Sequence, residues 1–382
     1  MIAAVAMEAL SRANGAFALD LYRALSKESP GASLIVSPLS ISTALAMVYM
    51  GARTRTHTEM GKVMRFDQVP DVHSHLQTLM GKVTTPSSSH VLNLANRLFG
   101  EKTFGFSPEF LSGIQKNYLA ELQGMDFLQA SEEARQTINQ WVKEKTENKI
   151  EELLKSGVLS TMTRLVLVNA VYFKGSWMHR FQKEQTQEMP FKINHAETRP
   201  VQMMCQTKKL PYGWVDDLEM QVLELPYTQR ELSMFILLPP ANKTLTKLEN
   251  KLTIENLLEW TDPANLDDGS DVVLHLPRFK LETSLSLGDT LSGLGMGSLF
   301  DEGTADLSGM SANGGLSISA LAHSAVCDVT EEGTEAAAAT AAMASFCMLR
   351  EEHFMADHPF LFLIMHNPTR SILFLGRYCG PQ

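Results

Sequence analysis

The sequence predicts a single α+β domain that spans residues 1–382. Three observations predict this class. Apolar residues at helical spacing dominate the chain up to Ile150, apolar runs typical of strands follow, and the two do not alternate as strand–helix–strand units. The length exceeds that of a usual domain, but no repeat, long linker or low-complexity tail divides the chain.

Composition narrows the classes of function. Hydrophobic residues make up 44% of the chain and charged residues 20%, as in a globular protein with a large core. A formal net charge of -10 argues against general binding of nucleic acid or anionic membranes. No apolar run reaches the length of a transmembrane helix. We therefore expect neither a nucleic-acid partner nor membrane association.

The first two helices are predicted from spacing and end signals. Apolar residues recur at helical spacing at Phe17, Leu21 and Leu25. Ser37 is a good N-cap and Pro38 suits the first helical position, so a second helix should begin there. Its apolar stripe consists of Ile41, Leu45 and Val48. Gly51 should end it.

A long amphipathic helix is predicted from Ser131 to Ile150. Glu132 and Glu133 fall in its first turn, where the helix dipole favours anions. The residues expected to face inward are Ile138, Trp141 and Val142.

Strands are predicted after that helix. The continuous apolar run Leu165–Phe173 is typical of a strand covered on both faces. Met220–Leu225 and Leu232–Leu238 are two further runs, with a polar turn at residues 228–231. Val272–Leu276 ends at Pro277. The last predicted pair is Phe360–Ile364 and Ile372–Leu375, joined by a turn at residues 366–368.

One segment near the C-terminus has conflicting signals. The alanine-rich run after Glu331 should form a helix by composition. As a strand, it would instead place only small uncharged residues on one face, namely Thr334, Ala336, Ala338, Thr340, Ala342 and Ala344. Glu335, Met343 and Ser345 would lie on the other face. Such a segment could be added between strands of an existing sheet without a steric penalty.

Several motifs in the same order resemble the serpin family over roughly Met7–Pro381. They are Ser37-Pro38-Leu39-Ser40-Ile41, Asn169-Ala170-Val171-Tyr172-Phe173-Lys174-Gly175-Ser176-Trp177, the Glu331–Thr340 hinge, and Phe354-Met355-Ala356-Asp357-His358-Pro359-Phe360. The resemblance implies about nine helices around three β-sheets. It also implies an exposed reactive-centre loop, at about residues 331–353, that can insert into the central sheet. The departures from the pattern are a leader at residues 1–6 and the run Arg350-Glu351-Glu352-His353.

The resemblance implies inhibition of serine proteases by a suicide mechanism. The protease serine attacks one loop bond, a covalent acyl-enzyme forms, and the hinge side of the loop enters the sheet. Family spacing from Gly333 places the reactive bond at Cys347-Met348. Cys347 suits an elastase-like pocket because an unreacted cysteine is a small apolar group, whereas cleavage after Phe346 would suit a chymotrypsin-like protease. The implied partners are therefore serine proteases of elastase and chymotrypsin type, held in a covalent complex.

The resemblance also assigns site residues. The hinge residues are Glu331, Glu332, Gly333, Thr334, Glu335, Ala336, Ala337, Ala338, Ala339 and Thr340. The shutter, a polar cluster beneath the central sheet, consists of Ser37, Ser40, Asn169 and His323. The breach, where insertion starts, contains Trp177 and Arg278, with Arg278 as the ion-pair partner of Glu331. No residue is assigned a catalytic role.

Two alternatives stay open. A non-inhibitory serpin would act as a chaperone, carrier or storage protein. Such members have charged, bulky or proline residues at the positions where this chain has Thr334 and the run Ala336–Ala339. Inhibition of papain-like cysteine proteases is the other alternative. Enzyme activity is disfavoured, because there is no nucleophile-elbow motif and the acid–histidine pair Asp357-His358 belongs to a family motif.

Cofactors are not expected. The cysteines Cys205, Cys327, Cys347 and Cys379 are far apart, which favours reduced thiols in a cytosolic protein over a metal cluster or disulfide scaffold. Heparin is disfavoured because Met64–Ser89 contains few basic residues, chiefly Arg65 and Lys82. We expect a cytoplasmic monomer without a cleavable signal peptide. Release to the extracellular space by an unconventional route stays open.

Overall fold

A computed structural model describes residues 2–87, 90–332 and 351–381. Its described residues form nine α-helices: α1 (Ile2–Glu28), α2 (Pro38–Gly51), α3 (Thr54–Met64), α4 (Val72–Thr84), α5 (Pro108–Tyr118), α6 (Phe127–Lys145), α7 (Leu245–Asn250), α8 (Ile254–Trp260) and α9 (Gly288–Leu291). None of these helices is both long and apolar enough to cross a membrane.

Fifteen strands lie in the described residues. They are β1 (Leu34–Val36), β2 (His90–Glu101), β3 (Leu122–Met125), β4 (Leu165–Gly175), β5 (Gln187–Lys192), β6 (Thr198–Lys209), β7 (Tyr212–Val215), β8 (Met220–Pro226), β9 (Leu232–Leu238), β10 (Asp271–Pro277), β11 (Phe279–Ser286), β12 (Ile318–Val329), β13 (Glu351–Met355), β14 (Phe360–His366) and β15 (Ser371–Tyr378).

The strands form three sheets, as the serpin resemblance implies. The six-stranded sheet has the order β1-β15-β14-β9-β8-β7, the four-stranded sheet β13-β10-β6-β5, and the five-stranded sheet β11-β12-β4-β2-β3. In the five-stranded sheet, β12 and β4 are direct neighbours and run parallel. The segment 333–350, which follows β12 and precedes β13, contains most of the predicted reactive-centre loop and lies outside the described residues. The last three residues of the loop as predicted, 351–353, belong to β13.

The five-stranded sheet is covered on both faces, which explains the continuous apolar run of β4. Its alternate residues Leu165, Leu167, Val171 and Phe173 join the main core, which also contains α1, α2 and the six-stranded sheet. Val166, Val168, Ala170 and Tyr172 instead join a second core beneath α6. Asn169 belongs to the first set by its parity, so its side chain points towards α2.

Two local predictions are wrong in detail. Ser37 precedes α2 as expected, but its side chain does not cap the helix; Ser37 Oγ donates to the Leu373 carbonyl of β15 instead, at 2.8 Å. The helix expected at Ser131–Ile150 is α6 (Phe127–Lys145), with non-helical backbone angles at Ala130.

The ends of α6 have clear physical causes. The buried carboxylate of Glu101 accepts hydrogen bonds from the backbone N–H groups of Phe127 (2.8 Å) and Leu128 (3.1 Å), so the helix begins early. Glu147 and Asn148 have positive φ angles of 52° and 60°, which end it before Ile150.

Candidate functional site

The contact between β4 and β12 is the seam of the five-stranded sheet. Its register runs from Ile318 opposite Leu165 to Cys327 opposite Phe173. His323 of β12 lies directly opposite Asn169 of β4. Because opposite residues on adjacent strands point to the same face, both side chains are directed at the N-terminal end of α2.

A buried polar cluster, here called the seam cluster, joins the seam to α2. Its members are Ser37, Ser40, Asn96, Asn169 and His323. His323 Nε2 accepts from the Ser37 backbone N–H at 3.3 Å, so Nδ1 carries the proton and donates it to Asn169 Oδ1. The hydrogen bonds thereby determine the neutral tautomer of His323.

The amide of Asn169 is fully used in the seam cluster. Its Oδ1 accepts from His323 and from Ser40 Oγ, the latter at 3.0 Å, and its Nδ2 donates to the Ser40 carbonyl at 3.2 Å and to Asn96 Oδ1. The Ser40 hydroxyl has one proton, which it shares between Asn169 and the Ser37 carbonyl at 3.0 Å. The cluster thus links β2, β4, β12 and α2.

Burial controls the charge of His323. The residue is fully buried, and this desolvation lowers its pKa to about 3. A second proton on the ring would also point at the Ser37 N–H, which is itself a donor. The neutral ring is therefore the form that fits the seam.

The end of the seam beyond β12 is held by residues that follow β4. The carboxylate of Glu331, with a side chain only 4% exposed, accepts from Thr186 Oγ1 at 2.8 Å and forms an ion pair with Arg278 Nη1 at 3.7 Å. The Phe181 N–H donates to the Glu331 carbonyl at 2.9 Å. The predicted pair of Glu331 and Arg278 is present, but Thr186 makes the shorter contact.

Trp177 contacts the backbone just after the end of β12. Its indole N–H donates to the Thr330 carbonyl at 2.8 Å, and its ring stacks on Tyr227 at 4.5 Å between ring centroids. The side chain is buried. Trp177 therefore packs in the core and anchors the backbone that leaves β12.

Glu332 is the last described residue before the loop. It pairs with Lys183 at 2.5 Å. Its pKa is lowered mainly by the hydrogen bond from Lys183, with further contributions from Arg180 and Lys174. Thr186, Lys183, Arg278, Trp177, Glu331 and Glu332 are together called the entrance cluster.

The structure brings the predicted residues into two groups. Ser37, Ser40, Asn169 and His323 meet in the seam cluster, and Trp177, Arg278, Glu331 and Glu332 meet in the entrance cluster. The remaining predicted site residues, Gly333, Thr334, Glu335, Ala336, Ala337, Ala338, Ala339, Thr340, Phe346, Cys347 and Met348, lie outside the described residues.

Sequence reasoning missed Asn96, Thr186 and Lys183. Asn96 enters the seam cluster because β2 pairs with β4 so that Asn96 lies opposite Asn169. This register is a long-range property that local spacing does not reveal. Lys183 and Thr186 lie in a polar stretch without regular periodicity, so no pattern marked them.

The acid–histidine pair Asp357-His358 makes contacts typical of a structural role. His358 contacts Asp357 Oδ1 through Nδ1 (2.8 Å) and the Pro239 carbonyl through Nε2 (2.6 Å), so both ring nitrogens are engaged.

Among the described cysteines, Cys205, Cys327 and Cys379 are free thiols. Within residues 2–87, 90–332 and 351–381, no three His, Cys, Asp or Glu side chains are grouped to hold a metal.

Three features are those that the serpin resemblance implies. They are the parallel pairing of β4 and β12, the small-residue segment that follows β12 in the sequence, and the polar seam cluster beside these strands. A model of that family, described as serine protease inhibitors, matches residues 12–381. The chain belongs to the serpin family, and it is a protease inhibitor rather than an enzyme.

Relatives that align over nearly the whole chain include leukocyte elastase inhibitors. The chain is 53% identical to those of Sus scrofa and Homo sapiens over 380 residues, which cover 98% of this chain and 100% of each relative. The protein of Xenopus laevis is 49% identical with the same coverage.

Solved structures agree on the fold. Uncleaved ovalbumin superposes with a TM-score of 0.90 at 34% identity, and maspin with 0.91 at 36% identity; each comparison covers 98% of this chain and 100% of the other. Human thyroxine-binding globulin gives 0.90 at 31% identity, with 99% and 100% coverage. The nine helices and three sheets of the described residues are thereby confirmed as the serpin arrangement.

Proposed function

We propose that this chain traps serine proteases of elastase and chymotrypsin type by inserting its own hinge into the seam between β4 and β12. One observation supports this proposal above all others. The two strands at the seam run parallel, and the small-residue segment begins directly after β12. A chain that reverses at the entrance cluster and runs back between them would be antiparallel to both.

The sheet gains from such an insertion. Antiparallel ladders are somewhat more stable per residue than parallel ones. Insertion would replace one parallel ladder, from Ile318 opposite Leu165 to Cys327 opposite Phe173, by two antiparallel ladders. Insertion of a further strand would therefore give the sheet a net gain of backbone hydrogen bonds.

The two clusters set the barrier to insertion. The hydrogen bond between His323 and Asn169 crosses the seam, so it must break before a strand can pass. Glu331 and Trp177 hold the turn from which the strand would enter. These contacts support the shutter and breach roles of the residues involved.

The chemistry of trapping belongs to the protease. Its serine oxygen would attack the carbonyl carbon of Cys347, or of Phe346. The acyl ester would form as the peptide bond breaks, and the peptide with a new amino terminus at Met348, or at Cys347, would leave as an amine. Insertion of residues 333 onwards would then displace the tethered protease before water can hydrolyse the ester. This chain contributes the bond and the strand.

A matched pair of hinge variants tests insertion directly. Ala336→Glu places a charge in the small-residue set, whereas Ala337→Glu places the same charge at the next position, in the other set. Each variant and the parent chain are mixed with neutrophil elastase, and separately with chymotrypsin, and examined on denaturing gels. The released peptide is identified by mass spectrometry.

We expect the parent chain and Ala337→Glu to form a denaturant-resistant complex, with a released peptide that starts at Met348 or Cys347. Ala336→Glu should be cleaved at the same bond without trapping the protease. Clean cleavage of the parent chain would refute trapping and indicate a substrate or a non-inhibitory serpin. Equal loss of complex in both variants would refute insertion in this register.

We propose that the protein is a monomer and that it is located in the cytoplasm. The curated relatives are named leukocyte elastase inhibitors, which supports an elastase-like target for this chain as well. Cell fractionation with an antibody to the native chain would test the location, and light scattering would test the monomer. An oligomer in freshly purified protein would count against the proposed state.

A further inference from the structure

The four-stranded sheet carries a row of three side chains with soft donor atoms. Cys205 of β6 lies directly opposite His275 of β10, and His275 lies directly opposite Met355 of β13. Residues opposite each other on neighbouring strands point to the same face of a sheet. The three residues are called the soft-ligand row.

The soft-ligand row lies on the outer face of the sheet. Cys205, His275 and Met355 are each half-buried, whereas the residues on both sides of them along their strands are buried. Those buried neighbours are Met204, Gln206, Leu274, Leu276, Phe354 and Ala356. The alternation places the row on the face of the sheet opposite to its buried neighbours, where the three side chains are only partly covered.

His275 is the centre of the row and has an unused nitrogen. Its Nδ1 atom is shielded from solvent and has no hydrogen-bond partner among the described residues. Buried polar atoms without a partner are uncommon and call for an explanation. A ligand held by this imidazole would supply one.

We infer that the soft-ligand row binds one Cu(I) ion through Cys205 Sγ, an imidazole nitrogen of His275 and Met355 Sδ. Thiolate and thioether ligands select Cu(I), and imidazole also suits copper. Neighbouring strands of a sheet lie only about 4.8 Å apart, so a single ion beside His275 lies within reach of both sulfur atoms. On binding, the Cys205 thiol loses its proton to solvent and the thiolate forms the Cu–S bond.

The row disfavours harder ions. No group of three His, Cys, Asp or Glu side chains in the described chain could hold a metal, and the row provides only two ligands of those types. Its third ligand is a thioether, which binds Zn²⁺ and Mg²⁺ poorly. The expected selectivity is therefore for a soft monovalent ion.

An ion bound to the soft-ligand row would also stabilise the edge strand β13. Among the described strands, β13 pairs with β10 alone, from Asp271 opposite Glu351 to His275 opposite Met355. Gln221 Nε2 donates to the His353 carbonyl at 2.8 Å. The ion would connect β13 through β10 to β6. Because the ion would bind the folded chain and connect three of its strands, Cu(I) should raise the thermal midpoint of the uncut protein.

The test is a titration of the full chain with Cu(I) under anaerobic reducing conditions, against a chromophoric Cu(I) chelator. It uses a Cys347→Ser background, because that thiol would bind the ion independently. We expect one Cu(I) per chain. Cys205→Ser, His275→Gln and Met355→Leu should each weaken binding at least about tenfold, whereas Met162→Leu, at an exposed methionine elsewhere, should leave it unchanged.

X-ray absorption of the Cu(I) complex should show two sulfur ligands and one nitrogen ligand. Met355→Leu conserves side-chain volume, and its circular dichroism is measured to exclude misfolding. The inference is overturned if no stoichiometric binding occurs, if the three row variants bind as the parent does, or if Met162→Leu loses binding equally. A one-to-one Zn²⁺ complex tighter than the Cu(I) complex would also contradict it.

Discussion

At the scale of single residues, the seam cluster is a fully satisfied polar network in a dry interior. Asn169 makes four hydrogen bonds and His323 two. Removing one member of such a network leaves its partners buried and unpaired, at a cost of about 1–3 kcal/mol for each group. The cluster should therefore govern how readily the seam opens.

His323→Ala should favour premature opening of the seam and the formation of polymers. The change removes the acceptor of the Ser37 N–H and one of the two donors to Asn169 Oδ1. The Ser37 N–H is then buried and unpaired, which destabilises the closed seam by about 1–3 kcal/mol. Polymer is measured by native gel and light scattering after prolonged mild heating. Ser40→Phe, which overfills the same cluster, should act in the same direction.

The matched control is His366→Ala. His366 is also a buried histidine, but it lies in β14 of the six-stranded sheet and hydrogen-bonds to Thr369 rather than to a member of the seam cluster. It should lower the thermal midpoint without promoting polymers. Unchanged monomer content in His323→Ala, or equal polymer in both variants, would count against the role of the seam cluster.

The resistance of the seam to opening should fall at acidic pH. The pKa of His323 is lowered to about 3 by burial, whereas an unfolded histidine titrates near 6.5. The unfolded chain therefore binds more protons between these values. The contribution of His323 is complete above about pH 6.5 and decreases by about 1.4 kcal/mol per pH unit towards pH 3.

The variant His323→Gln isolates this effect. Glutamine can accept from Ser37 and donate to Asn169 but does not titrate. Burial, helped by Lys82 and His90, also lowers the pKa of His366, to about 4, so slopes rather than single values are compared. We expect the rate of polymer formation to rise more steeply on acidification in the parent chain than in His323→Gln. Equal slopes in the two chains would contradict the role of His323 protonation in opening the seam.

At the scale of elements, the entrance cluster offers two contacts of unequal strength. Arg278 is half exposed and 3.7 Å from Glu331, and exposed ion pairs contribute about 0–1 kcal/mol. Thr186 donates a 2.8 Å hydrogen bond to the same buried carboxylate, and loss of such a bond costs about 1–3 kcal/mol. The shorter, more buried contact should dominate.

Thr186→Val should therefore loosen the entrance more than Arg278→Ala does. We expect Thr186→Val to form polymers faster on heating and to be cleaved more often without trapping, measured as inhibitor consumed per protease inhibited. Thr186→Ser keeps the hydroxyl and should behave as the parent chain. A larger effect of Arg278→Ala than of Thr186→Val would show that the ion pair is the main latch.

The elements also show how far local sequence signals reach. The bounds of α2 follow from Pro38 and Gly51, and β4 and β9 follow from uninterrupted apolar runs. The early start of α6 depends on Glu101, which is distant in sequence. Ser37 leaves its expected capping role because β15 offers it a carbonyl. Contacts set by tertiary register were thus beyond local prediction.

At the scale of the whole molecule, the cores above and below the five-stranded sheet constrain any added strand. Side chains of β4 enter both the main core and the core under α6. A strand inserted beside β4 would face the same two layers. The alternate residues from Thr334 to Ala344 are all small and uncharged and suit the more confined of the two faces, whereas Glu335 and Met343 belong to the other face. This alternation can be read from the sequence alone.

Cleavage of the loop without trapping should stabilise the whole molecule. A metalloprotease forms no acyl-enzyme, so it would cut the chain and leave it free to insert the hinge. One net additional ladder of about ten hydrogen bonds, at about 1 kcal/mol each, predicts a gain of roughly 10 kcal/mol. In a chain of this size, each kcal/mol shifts the thermal midpoint by about 2 °C or less, so the rise should approach roughly 20 °C.

Ala338→Pro is the control for this rise. Proline lacks the N–H that a central strand must donate, so the variant should be cut equally but gain far less stability. Both chains are compared before and after cleavage by differential scanning calorimetry, and the cut site is confirmed by mass spectrometry. An equal rise in Ala338→Pro would mean that relief of loop strain, rather than a new central strand, stabilises the cut chain. Absence of a rise in the parent chain would mean that the seam between β4 and β12 does not admit the hinge.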